Sequence, residues 1–166
     1  MHIKFENLND EYLEWVRQLH NDSEVLYMLT DTHVVSKEEQ LLWFKSLKKS
    51  NSSKRLLVFI DDAVVGIIRL DSIDSINKSI CVGLDIHKDC RGKGLARPIY
   101  NKLLTECFNE DINRVWLMVA SFNLVARHLY DSLGFVYEGT QREALYRKGA
   151  YHDYILMSVL KKEFLK

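Results

Sequence analysis

The stretch from Ile80 to Tyr100 reads ICVGLDIHKDCRGKGLARPIY. Its apolar, β-branched opening predicts a buried strand over Ser79–Ile86. The chain then passes through a turn with Gly92 and Gly94 and straight into an amphipathic helix, predicted from Leu95 to Phe108. Glycine in such a turn permits positive φ and close backbone approach. The helix N-terminus offers unpaired N–H groups and the positive end of the helix dipole. Together these make an anion site suited to phosphate or pyrophosphate, ringed by Arg91, Lys93 and Arg97. Pro98 falls in the first helical turn, where its missing N–H costs little. The pattern is not a Walker loop, because G-x-x-x-x-G-K-[ST] is absent, and it lacks the third glycine of the dinucleotide fingerprint. On spacing alone, a phosphate cradle and a purely structural turn both stay open.

Working outward, the period alternates between strand and helix. A short strand is expected over His2–Leu8 and a helix over Glu11–His20, where Leu13, Val16 and Leu19 recur at helical spacing. Ser36-Lys37-Glu38-Glu39 is a capping box that should open a helix running to about Lys49, with Leu41, Leu42, Phe44 and Leu47 as its apolar set. Arg55–Ile60 and Val64–Leu70 read as strands joined at Asp61-Asp62, a hairpin signal. Beyond the central stretch come a strand at Arg114–Val119, a helix at Asn123–Leu133, and β structure from Val136, ending on the alternation Tyr154–Leu160. The order is β-α-α-β-β-β-α-β-α-β-β. It predicts one α/β domain over residues 1–166, antiparallel early and crossed over by helices later.

Composition narrows the function. Lys plus Arg and Asp plus Glu each number 23 among 166 residues, so the formal net charge is zero. That disfavours a nucleic-acid binder relying on bulk positive charge. No apolar run is long enough to span a membrane, and the N-terminus lacks the apolar stretch of a signal peptide, so a cytoplasmic protein without a membrane partner is expected. The three cysteines, Cys81, Cys90 and Cys107, form no C-x-x-C pair and read as reduced thiols. The histidines show no metal-ligand spacing.

Two motifs carry a resemblance. Arg91-x-x-Gly94-x-Ala96 is similar to the pyrophosphate-binding signature of the GNAT superfamily of acetyl-coenzyme A-dependent N-acetyltransferases. Asn123-x-x-Ala126-x-x-x-Tyr130-x-x-x-Gly134-Phe135 resembles that superfamily's second cofactor segment. The resemblance covers the whole chain in element order and is specific over Val82–Phe135. It implies the GNAT fold, a mixed sheet of about seven strands flanked by about four helices. It also implies acetyl-CoA as cosubstrate, no metal, and a primary amine of a small molecule, such as an amino sugar or polyamine, as acceptor. The alternatives are a protein N-terminus as acceptor, or a non-catalytic acetyl-CoA-binding regulatory module. The ending and the segment Asn21–Leu47 are loosely similar to small-molecule, sugar-nucleotide and protein-terminus acetyltransferases. Homodimers through the C-terminal strands are common in the superfamily, which makes a second copy a candidate partner.

The resemblance also assigns roles. Arg91, Gly92, Lys93, Gly94, Leu95 and Ala96 would wrap the pyrophosphate. Backbone N–H groups of Leu84 and Ile86 would polarise the thioester carbonyl. Asn123 would bind the pantetheine arm, although asparagine also favours a helix N-cap. Tyr130 would protonate the leaving thiolate as general acid, against the alternative of a packed core aromatic. No base is assigned. Asp85 and His87 lie near the expected reaction centre, and Asp31, His33, Glu138 and Asp153 are candidates for the acceptor cleft. Walls built from Tyr27, Trp43 and Tyr151 would favour a nucleotide-linked sugar. Without a His-Asp arrangement to activate a thiol, transfer is expected to be direct, in a ternary complex.

Overall fold

A computed structural model describes residues 1–164. Seven strands form one sheet in the order β1-β2-β3-β4-β5-β7-β6. They span Ile3–Asn7 (β1), Lys54–Ile60 (β2), Ala63–Asp74 (β3), Ser79–Ile86 (β4), Arg114–Ala120 (β5), Val136–Arg147 (β6) and Ala150–Leu160 (β7). All neighbours pair antiparallel except β4 and β5, which are parallel. The helices are Leu13–His20 (α1), Ser23–Met28 (α2), Lys37–Leu47 (α3), Ala96–Asn109 (α4), Leu124–Ser132 (α5) and Lys161–Phe164 (α6).

The seven-stranded mixed sheet matches expectation, while the described residues hold six α-helices rather than about four. The additions are α2 and α6, too short to display a helical period. α2 exists because Asp22 caps it, accepting from the backbone N–H groups of Glu24 and Val25. The capping box of α3 forms as predicted, but its apolar set is corrected. Leu41 and Leu42 are exposed at 51% and 64%, whereas Phe44 is buried as expected, with Gln40 buried beside it. Asp61 and Asp62 both adopt positive φ, 47° and 68°, the two-residue turn whose twist matches a hairpin.

The sheet divides two cores. On one face α4 buries Ile99, Tyr100, Leu103 and Leu104 against Ile68, Val82, Val115 and Leu117. On the other, α1 and α3 pack Leu13, Val16 and Phe44 against Leu57 and Ile67. The parallel β4–β5 ladder is short. It joins Ser79–Cys81 to Arg114–Trp116 and stops. Beyond that point the two strands splay apart in the middle of the sheet.

Candidate active site

The ladder fixes what the splay exposes. The His87 N–H donates to the Val65 carbonyl at 2.8 Å, and the register sets Asp85 opposite Ile67 and Gly83 opposite Arg69. Backbone bonding alternates along an antiparallel pair, so Gly83 and Asp85 use their backbone groups on β3. Leu84 and Ile86 turn theirs to the opposite edge, where β5 no longer pairs. The Ile86 carbonyl there accepts from Arg91 Nε at 2.9 Å. Side chains alternate as well: Leu84 and Ile86 pack toward the α4 core, and Asp85 projects from the face that carries α1–α3.

Below the splay the chain makes its predicted turn. Gly92 and Gly94 both hold φ of 72°, and a Cβ on either would meet nothing within 4 Å, so conformation rather than crowding demands glycine there. Gly92, Lys93, Gly94 and Leu95 donate their N–H groups to no backbone acceptor among the described residues. Ile99, bonded to the Leu95 carbonyl, makes the first bond of α4. A row of free donors therefore faces outward at a helix N-terminus, the arrangement a pyrophosphate needs.

The positive ring is smaller than the sequence suggests. Arg91 pairs with Asp22 at 3.1 Å and Glu24 at 2.5 Å, which ties α2 to the end of β4. Arg97 donates to the Ser132 hydroxyl at 2.6 Å, joining α4 to α5. Lys93 is exposed.

A cavity of about 470 Å³ fills the splay. Leu84, Ile86, Arg91, Ala96, Asn123 and Tyr130 line it, so most of the expected site residues converge. The second motif is the skeleton of α5. Asn123 Oδ1 caps it, accepting from the Ala126 N–H at 3.2 Å. Gly134, at φ 88°, ends it where the Phe135 N–H returns to the Tyr130 carbonyl at 3.0 Å. The Tyr130 hydroxyl stands 3.2 Å from that of Tyr100. Burial raises both phenols, Tyr100 well above the ordinary tyrosine range. Burial raises Tyr154, a further cavity residue, in the same way.

A second cavity of about 320 Å³ opens on the α1–α3 side, lined by Asp31, His33, Glu39 and Trp43 among others. Arg69 and Asp85, paired at 3.0 Å, line both cavities. Arg55 in its wall is neutralised by Asp71 at 2.9 Å, and Glu39 is engaged by His33 at 2.9 Å and by the Ser36 N–H at 2.7 Å, whereas no lysine or arginine pairs with Asp31 among the described residues. The other acceptor-cleft candidates lie elsewhere: Glu138 is bound by Arg114 and Ser158, and Asp153 accepts from the Glu143 N–H. His87, expected near the reaction centre, stacks on Trp15. Trp43 lines the cleft, but Tyr27 packs on Phe122 and Tyr151 on Tyr146, so the three aromatics build no common wall.

Arg147, at the tip of the β6–β7 hairpin, donates from Nε to the Tyr27 carbonyl at 3.0 Å and from Nη2 to the Leu29 carbonyl. Leu29 and Thr30 also line both cavities, so the hairpin holds the loop after α2 over the cleft. Sequence reading misses Arg69, Tyr100 and Arg147, none of which sits in a motif.

A splayed parallel pair, a donor-rich loop at a helix N-terminus and a phenol in the gap define an acyl-CoA-dependent transferase. Residues 10–135 match the Acetyltransferase (GNAT) family, and the chain belongs to it. It is 29% identical over 158 residues to the spermidine N(1)-acetyltransferase of Vibrio cholerae, covering 92% of this chain and 90% of that one. It is also 29% identical over 151 residues to an L-amino acid N-acetyltransferase of Escherichia coli, covering 89% and 91%. The crystal structure of Vibrio cholerae spermidine N-acetyltransferase in complex with CoA and spermine superposes with a TM-score of 0.92 at 26% identity, over 99% of this chain and 98% of that one. The protein is an N-acetyltransferase that uses acetyl-CoA.

Proposed function

We propose that the protein transfers the acetyl group of acetyl-CoA directly to the primary amine of a small molecule, polyamines being the first class to test. The observation that carries this reading is the splay itself, which aims the free N–H groups of Leu84 and Ile86 and the Tyr130 hydroxyl into one cavity. In this reading the residue 92–96 loop holds the pyrophosphate. The backbone donors stabilise the oxyanion as the amine attacks. Tyr130, kept protonated by burial, gives its proton to the leaving sulfur.

Asp31, with which no lysine or arginine pairs among the described residues, suits a cationic acceptor. Arg147 fixes the loop after α2, whose Leu29 and Thr30 line both cavities, and a bounded acceptor site of this kind favours a small amine over a protein N-terminus. Spermidine, an L-amino acid, an amino sugar and a peptide amine, each incubated with acetyl-CoA and scored by free thiol, test the proposal. A silent panel rejects it in favour of a non-catalytic module. A peptide acetylated above all small amines favours the protein-terminus reading.

Cys81 and Cys107 are pushed by burial up to about 11 and about 12, so neither is a nucleophile at neutral pH. Intact mass after mixing with acetyl-CoA alone should therefore show no acetyl adduct on Cys81 or Cys107. A homodimer would use β6, the C-terminal edge of the sheet, where Val136, Tyr137 and Tyr146 are exposed. Sedimentation of wild type against Tyr137→Glu tests that arrangement, and loss of a dimer in the variant is the expected result.

A further inference from the structure

Leu29, Thr30, Arg69 and Asp85 line both cavities, and Asp85 is the carboxylate among them. Resting on the N-acetyltransferase reading, we infer that Asp85 receives the acceptor's ammonium group at this partition and takes its proton, with Arg69 as the residue that positions it.

The stereochemistry follows from the strand. Asp85 lies between Leu84 and Ile86, whose N–H groups point in the plane of the sheet into the splay. A carbonyl oxygen accepts hydrogen bonds near its own plane, and a nucleophile attacks its carbon from above that plane. The Asp85 side chain leaves the strand perpendicular to the sheet, on the acceptor side. An amine held by this carboxylate therefore approaches from the face open to attack while its target is polarised from the strand edge. No other carboxylate at the partition has this relation to both groups.

Arg69 fixes the carboxylate without consuming it. Its Nε lies 3.0 Å and its Nη2 3.4 Å from the Asp85 oxygens, and the Nε is not aligned as a hydrogen bond. An ionised carboxylate accepts about four hydrogen bonds, so capacity for an ammonium remains. The guanidinium is itself fitted against a bare strand position, because a Cβ on Gly83 would stand 2.7 Å from Nη2. The competing cation of the cleft, Arg55, is held away by Asp71.

The proton and electron balance closes. The ammonium N–H bond breaks and its proton passes to Asp85 and on to water in the acceptor cavity. The freed nitrogen pair forms the C–N bond. The C–S pair leaves with sulfur, which takes the Tyr130 proton, and the second nitrogen proton restores the phenol. The products are an acetamide, a free thiol and one proton.

The test compares Asp85→Asn with wild type on two acceptors. One is the best alkylamine of the panel, protonated at pH 7. The other is hydroxylamine, largely neutral at that pH. The expected result is a fall in kcat/KM of about 100-fold for the alkylamine and less than about tenfold for hydroxylamine. Acetyl-CoA affinity, read by thermal shift, should be unchanged. Arg69→Met should raise the alkylamine KM with acetyl-CoA affinity intact. Should the freed Arg69 charge keep Asp85→Asn from folding, the double variant Arg69→Met/Asp85→Asn removes both charges and should show the same acceptor-dependent loss. Alkylamine turnover within threefold of wild type, or equal losses on both acceptors, would overturn the role of Asp85 while leaving the transferase reading intact. A wild type that acetylates no amine at all would instead reject that reading, and this one with it.

Discussion

At the scale of single residues, Tyr130 and Tyr100 form a pair whose members have separable jobs. The two hydroxyls are 3.2 Å apart, and Tyr100 is 1% exposed. Tyr130→Phe removes the acid and also strands the Tyr100 hydroxyl, an unmet polar group that costs about 1–3 kcal/mol when buried. Tyr100→Phe removes the same hydrogen bond but spares the acid. Tyr130→Phe should therefore lower kcat by about 100-fold with little change in KM, and Tyr100→Phe by only a few-fold, while both lose stability. Steady-state kinetics beside melting curves decide the matter, and equal kcat losses in the two variants would show that Tyr130 acts through packing. Tyr130 and Asn123 are legible in sequence because one helix carries both, two turns apart. The Arg69–Asp85 pair is not legible, because residues 16 apart meet only through the β3–β4 register.

At the scale of elements, the turn between β4 and α4 was readable and its charge was not. Glycine spacing reports backbone conformation, which is local. Whether an arginine beside it is free depends on distant partners, and Asp22 and Glu24 hold Arg91 from a helix too short to announce itself. The conformational demand gives a clean experiment. Gly94 sits at φ 72° with open space around it, so Gly94→Ala pays only the left-handed backbone cost of about 1–2 kcal/mol. Gly94→Val adds a β-branched side chain where the pyrophosphate would lie. Thermal shift on adding acetyl-CoA should shrink for the alanine variant and vanish for the valine one. An unchanged shift in a folded Gly94→Val protein would place the pyrophosphate elsewhere.

At the scale of the whole molecule, burial holds several weak acids protonated to higher pH than in the unfolded chain. Tyr100, Tyr130 and Tyr154 are raised above the usual range near 10, and Cys81 and Cys107 reach about 11 and about 12. Each folded pKa exceeds its unfolded value, so the folded state binds the proton more tightly. The stability this contributes is full below about pH 8.5, where unfolded thiols begin to ionise, and is lost as pH rises toward the folded values. The melting temperature should accordingly hold near neutrality and decline through pH 9–12, and a flat profile there would contradict the burial of these groups. The order of elements was legible because each strand and helix carries its own period. The hairpin tether was not, since Arg147 reaches Tyr27 and Leu29 across most of the chain. Arg147→Ala should raise the acceptor KM several-fold without changing acetyl-CoA affinity, and the reverse pattern would place the tether over the cofactor instead.

The early end of the β4–β5 ladder has a consequence for solvent exchange. Central strands ordinarily hold the slowest-exchanging amides of a domain, because they open only with global unfolding. Leu84 and Ile86 break that pattern, for their amide hydrogens face a gap instead of a neighbouring strand. In deuterated water these two positions should label far faster than Gly83 and Asp85, which alternate with them on the same strand, and acetyl-CoA should close the difference by giving the exposed amides an oxygen to hold.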